Sequence, residues 1–235
     1  MSLALHGAKR SPWAELRRGL ARERALIALF DLGRRKAFLL RAARLYAIGV
    51  FIGYSVAILL ARGGDRRALI HGFVHAALGS LSWAVGSLAA LGAAQSLAAP
   101  ASPSTDPLTA LAVGRGYSTS ALLRARTLST AVRVARWVGL PGVLLVVVGL
   151  GRGATLLWAL AVAPAVIVYA SALGLTVALL ALFAAQLSPR RPRWVLIALV
   201  LVPHLVAQSF HGFPSPVALL SSLLDHLLDS GARLT

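Results

Sequence analysis

Five long apolar runs, separated by short basic or proline-rich stretches, set the frame of this chain. A helix needs roughly 20 mostly apolar residues to cross about 30 Å of hydrocarbon. Runs of that kind fall near 38–61, 68–98, 131–150, 154–187 and 194–210. Arg41 and Arg44 lie in the first two turns of the first run, where they can snorkel to the headgroups. The second is uncharged and rich in glycine and serine, including Ser80, Ser82 and Ser87. The third contains Pro141 and is short, so its helix is expected to start a turn or two earlier among polar residues. The fourth is too long for one upright span and too short for two, and reads as one tilted or kinked helix with Pro164 at the kink. The fifth holds Pro203 and His204, and the remaining 211–235 segment is a poor candidate to span.

Two further elements flank these runs. Residues 12–33, PWAELRRGLARERALIALFDLG, place Trp13, Leu16, Leu20, Ile27 and Phe30 on one helical face and most of their arginines on the other. Such a helix lies in the interface plane instead of crossing it. Between the second and third runs, Pro100, Pro103 and Pro107 end one helix, and Gly114 and Gly116 bracket a break at Arg115. Ser118 or Thr119 is then placed to cap a new helix running into the third span. The predicted fold is all-α and polytopic: a cytoplasmic 1–36 segment with an interfacial elbow helix and a 37–210 transmembrane region with a cytoplasmic loop at 100–130. An outer-side re-entrant or interfacial segment at 211–235 follows, giving five spans, or six if that segment crosses.

Composition agrees with this pattern. The 235 residues are 58% hydrophobic and 13% charged, against about 25% charged in a typical soluble domain. The formal net charge of +17 is clustered between the runs, which argues against a disordered polycation and against a nucleic-acid-binding surface. With five crossings and a cytoplasmic N-terminus, nineteen Lys and Arg face inward and five outward. Anionic lipid of the inner leaflet is a sufficient partner for that excess. The Ala, Leu and Arg bias points to a bacterial chain of the inner membrane. No cysteine is present, so there is no thiolate metal site or cysteine nucleophile.

Together these features resemble the permease of an ABC-2-type transporter. The resemblance rests on the elbow helix, on the stretch from Asp106-Pro107-Leu108-Thr109-Ala110-Leu111 through Gly116-Tyr117-Ser118 to Leu122-Leu123-Arg124-Ala125-Arg126, on the long fourth run, and on the proline-bounded FHGFPSPVALLSSLLDHLLDSG segment. The sequence departs from the family in three ways: Asp106 replaces a glutamate, Ala112-Val113-Gly114 stands where the family has P-V-S, and no sixth span is evident. The resemblance implies a permease that moves substrate while a separate cytoplasmic ATPase binds the ATP, the chain itself having no G-x-x-x-x-G-K-[ST] motif and no cofactor. It also implies a coupling surface formed by Asp106, Leu108, Leu111, Arg115, Tyr117, Ser118, Leu122, Leu123 and Arg124, and a second permease protomer. Gly49 with Gly53, and Gly72 with Gly79 and Gly86, are spaced for close approach either at that protomer interface or within one protomer. The alternative is a non-transporting anchor or scaffold subunit of a larger membrane complex.

Few single residues carry chemistry. His71 and His75, four apart, share one helix face and either hold a ligand in the pathway or bond to headgroups and water; Asp65 is the one acid near them in sequence, and no metal site is expected. His204 either serves the pathway or bonds a carbonyl freed by Pro203. Asp225, His226 and Asp229 read as a solvated face of an outer helix, with a cation cluster as the other option. No carboxylate falls within the five runs, which disfavours an ion-coupled carrier, and no catalytic constellation is present.

Overall fold

A computed structural model describes residues 25–26, 38–61, 65–98, 110, 113–209 and 215–233, and all of its regular elements among these are helices. The chain forms α1 (Phe38–Leu60), α2 (Arg66–Ala98), α3 (Thr119–Leu150), α4 (Leu156–Leu187), α5 (Pro192–Ser209) and α6 (Pro216–Arg233). The expected elbow helix, apart from Ala25 and Leu26, lies outside the described residues, as do Asp106, Leu108 and Leu111. Helices α1 to α4 are long and apolar enough to cross a membrane; α5 is shorter.

The distribution of side-chain size shows what surrounds the bundle. Buried positions on α4 are largely small, including Ala159, Ala170, Ala178, Ala181 and Ala184, while Leu156, Leu160, Ile167, Leu175, Leu179 and Phe183 point outward. In water that outward apolar face would be an aggregation site. In lipid it is the expected arrangement, because hydrocarbon solvates large side chains and helices associate through small ones. The protein is therefore membrane-embedded.

Helix α3 starts at the cap read from the sequence, and not merely a turn or two before the third apolar run. It is continuous for 32 residues and begins at Thr119, twelve residues before 131, so its polar first three turns belong to the same rod as the span. At 1.5 Å per residue it measures roughly 48 Å, well beyond about 30 Å of hydrocarbon. Ser118 caps it from an extended conformation, its Oγ accepting from the Ala121 N–H at 3.3 Å. Helix α4 is likewise one 32-residue rod, with Pro164 inside it and Thr155 as its N-cap. The two pack closely where Gly174 of α4 meets the backbone of Ala131 and Ala135 on α3.

Cross-helix pairs fix the relative directions. Trp158 lies beside His71, the Tyr169 hydroxyl bonds Ser82, and Val177 lies beside Gly86, so α2 and α4 run parallel. Asp225 meets His75 and Asp229 faces His71, so α6 runs opposite to α2. Helix α5 runs the same way as α6 and brings His204 against Trp83, halfway along α2. Helix α6 starts at that middle level, where Pro216 faces the same cavity as Trp83, and continues to the end of the bundle at His71. Together α5 and α6 cover the length that α2 covers alone.

Candidate functional site

Two places concentrate polar groups, one at each end of the bundle. At the end where α2 begins, Asp65 accepts from the N–H groups of Arg67 and Ala68 at 3.0 and 3.2 Å and sets the first turn of α2. That start places His71 and His75 one turn apart on the face toward α6. Helix α6 is amphipathic: Leu224 and Leu228 are buried in the common core, with Leu220, Leu223 and Leu227 packed beside them. Its start is fixed by the buried Ser215, whose Oγ accepts from the Ala218 N–H at 3.0 Å. Burying those leucines sets Asp225 and Asp229 in register with the two histidines.

The resulting geometry is a pair of rungs. His75 Nε2 lies 2.7 Å from Asp225 Oδ1, a hydrogen bond, and His71 Nε2 lies 3.9 Å from Asp229 Oδ1. Both carboxylates are more than half exposed, so each rung contributes on the order of 1 kcal/mol or less to stability. His71 also stands edge-on to the buried Trp158, with ring centres 6.4 Å apart. Its Nδ1 and the Trp158 Nε1 are buried without a hydrogen-bond partner among the described residues. The histidines therefore have carboxylate neighbours on α6 besides Asp65, and the exposed Asp225 and Asp229 face them from across the helix pair.

One turn below His75, at Gly79, a cavity of about 120 Å³ opens between α2, α4, α5 and α6. Gly79, Gly86 and Ala90 leave the room on α2, and Leu173, Val177, Leu196, Val200, Leu220 and Leu224 make the walls. Its polar centre is a short chain of hydroxyls. Ser82 Oγ donates to the Leu78 carbonyl at 2.6 Å, which commits its one proton. The 2.7 Å contact between Ser82 and Tyr169 must then be donated by Tyr169. Tyr169 was not visible as a site residue in the sequence, where it is one tyrosine in an apolar run. His204 is half-buried at the cavity's edge, its ring 5.9 Å from that of Trp83, which also lines the cavity.

At the opposite end stands the region expected to couple to an ATPase. Gly116, at φ +80°, closes a turn in which its N–H donates to the Val113 carbonyl at 2.8 Å. A side chain is strained in that conformation, so glycine is required there. Arg115, Ser118 and Arg124 are exposed, and Tyr117 and Leu123 are half-buried. Leu122 is 1% exposed and packs with Leu26 and Ala125. An open groove of about 440 Å³ lies beside this turn, between Leu97, Leu123, Leu182 and Gln186.

Arg126 and Arg133, two of the nineteen basic residues counted on the inward side, are 5% and 7% exposed. They lie seven residues apart on the α3 face that carries Ser129 and Thr130 inward, and the Arg133 guanidinium sits 5.8 Å from the Trp137 ring centre. Among the described residues no three histidine or acidic side chains converge on a common point as a metal site requires. Comparison with known proteins finds no matching family model, no matching curated protein and no matching solved structure.

Proposed function

We propose that this protein is the permease subunit of an ABC-type transporter of a bacterial inner membrane, moving its substrate when a separate cytoplasmic ATPase acts on it. The observation that carries the reading is the exposed, rigid end of α3. From the Ser118 cap α3 is one continuous helix that includes the span, with the Val113–Gly116 turn just before it, so a push on Arg124 is delivered along α3 into its contact with α4 at Gly174. A motor subunit needs such a lever, and a chain without a phosphate-binding loop needs such a motor.

Charge supports the orientation. With α5 and α6 counted as one interrupted crossing after α1 to α4, the N-terminus and the α3 lever share the side that carries nineteen of the twenty-four Lys and Arg. The second protomer docks along α1, where a Cβ added at Gly49 or Gly53 would meet no described residue within 4 Å and where both glycines border an open groove with Tyr46 and Tyr54.

The test is purification in mild detergent with mass spectrometry of the associated proteins, for the wild type and for an Arg115→Glu/Arg124→Glu variant. Both side chains are exposed, so the variant should keep its fold, whereas changing the buried Leu122 would damage it. The expected outcome is a P-loop ATPase recovered with the wild type and lost with the variant. If only other membrane proteins are recovered, equally with both, the transporter reading fails and the scaffold reading replaces it.

A further inference from the structure

We propose that the groove between the ends of α2 and α4 and the start of α3 holds one anionic phospholipid, its phosphate on Arg126 and the first methylenes of its chains along Leu97, Leu123 and Leu182. This is a site for a single molecule, distinct from the diffuse attraction of a basic surface for anionic lipid, and it stands whether or not the permease reading does.

Depth and shape come first. Arg126 lies two turns into α3 and five residues before the apolar run at 131–150 of the same helix. At 1.5 Å per residue it stands roughly 7 Å along the axis from the start of the hydrocarbon, at the level of the headgroups. The groove is built for a molecule with two natures: Thr119, Ser120 and Gln186 form an exposed polar rim, and Leu97, Leu123 and Leu182 the apolar walls. Its volume of about 440 Å³ is about three times the roughly 150 Å³ that takes one benzene ring. A glycerol phosphate with the start of its chains fits that space, and the rest of each chain continues into the bilayer.

Charge then selects the headgroup. Arg126 is 5% exposed and lines the groove. A guanidinium carries five donors in a planar fork that matches phosphate, so a bond within the protein leaves others for a ligand. The surroundings carry one sign. Arg124 is exposed on the same helix, Arg190, Arg191 and Arg193 follow Pro189 of the groove wall, and α3 adds the positive end of its dipole. The three acids among the described residues, Asp65, Asp225 and Asp229, lie at the other end of the bundle. A headgroup ammonium is repelled by such a field, so a phosphate without one is preferred to a zwitterion.

The probes are phosphatidylglycerol and phosphatidylcholine with identical acyl chains, presented together to the purified chain in mild detergent. Native mass spectrometry counts the first lipid bound. The charge difference predicts a preference of about tenfold for phosphatidylglycerol. Arg126→Gln and Ser120→Glu should each bring the two lipids to within about twofold, because one removes the guanidinium and the other sets a carboxylate on the rim. Arg124→Gln takes the same single charge from an exposed neighbour and should leave the preference in place. Excess inorganic phosphate should not displace the lipid, since it gains nothing from the leucine walls.

Circular dichroism and size exclusion verify that each variant is folded. Ser120 is exposed in the first turn of α3, where an acid favours the helix, so Ser120→Glu decides the matter if Arg126→Gln does not fold. Absence of a preference in the wild type, or its survival in Ser120→Glu or in a folded Arg126→Gln, overturns the proposal. An equal loss in Arg124→Gln also overturns it in favour of diffuse surface charge, and displacement by phosphate does so in favour of a soluble anion. None of these outcomes depends on whether an ATPase is found.

Discussion

Helices α1 and α4 are both uninterrupted apolar rods that contain glycine, two in α1 and one in α4, yet they have different places in the molecule. In α4, 44% of the most apolar stretch is buried, against 17% in α1. The glycines show why. At Gly174 of α4, an added Cβ would collide with the Ala131 carbonyl oxygen and lie 3.2 Å from the Ala135 nitrogen, so the two backbones touch there. At Gly49 and Gly53 of α1 an added Cβ meets nothing within 4 Å. In hydrocarbon, where no hydrophobic force drives helices together, a glycine marks a contact only if a second backbone comes to meet it. Helix α1 is held instead near its two ends, by Leu40, Ala43 and Ala47 at one and Ile58 at the other.

The sharpest test of this contrast is Gly174→Val. The obstacle is backbone on α3, which cannot rotate away as a side chain can, so α3 and α4 must separate along the lever that the proposed mechanism uses. Forced overpacking of a close contact costs about 3 kcal/mol or more. The expected result is a large drop in the thermal midpoint followed by circular dichroism in detergent. A variant as stable as the wild type would mean that α3 and α4 do not approach through their backbones.

Next in size is Ile58→Ala. Ile58 is 1% exposed and ties the far end of α1 to the core, whereas Ile52, two turns earlier, is 55% exposed. Removing a buried Ile side chain costs about 2 kcal/mol at the low end of the observed range, fitting for a peripheral helix that can shift to close the void. Ile52→Ala should stay within about 0.5 kcal/mol of the wild type. Equal losses at both positions would show that α1 is packed along its whole length.

The sequence could not separate these cases, and the reason is physical. Runs of twenty apolar residues are local, so α1 to α4 are readable in it, and so is the Ser118 cap that begins α3. Whether a glycine is met by another helix is not local, and Gly53 and Gly174 look alike on paper. The His71–Asp229 and His75–Asp225 rungs join residues about 150 positions apart. The only hint was that both pairs use the same four-residue spacing. The burial of Arg126 and Arg133 was not legible either, because a charge cluster beside a span is usually solvated. Here α3 extends far enough that their face turns into the bundle.

A smaller effect is expected at the start of the lever. Ser118→Ala removes the side-chain acceptor for the Ala121 N–H and should cost about 1 kcal/mol, felt in the first turn of α3 and not in its contact with α4. Hydrogen exchange would show faster amides at 119–122 with unchanged protection near Ala131. Loss of protection along the whole of α3 would mean that the lever and the span do not form independent regions of stability.

The smallest effect on stability, and the most informative about partners, is predicted for Gly53→Leu. A Cβ added there meets no described residue, and its surroundings are the groove edged by Tyr46, Tyr54 and Ser80, where the Tyr46 hydroxyl bonds Ser80 at 2.6 Å. The thermal midpoint of the isolated protomer should therefore stay within the span of about 0.5 kcal/mol that surface changes produce. If a second copy lays its own α1 into that groove, the leucine blocks the approach and the dimer fraction measured by single-molecule photobleaching in lipid falls several-fold. Gly49→Leu, one turn away, should behave the same way, and Leu59→Ala, also outward-facing but away from the groove, should not. Retention of a stable dimer in both glycine variants would place the protomer contact elsewhere. The open glycine face of α1 would then be a surface for lipid alone, and the contrast with α4 would be one of packing and not of assembly.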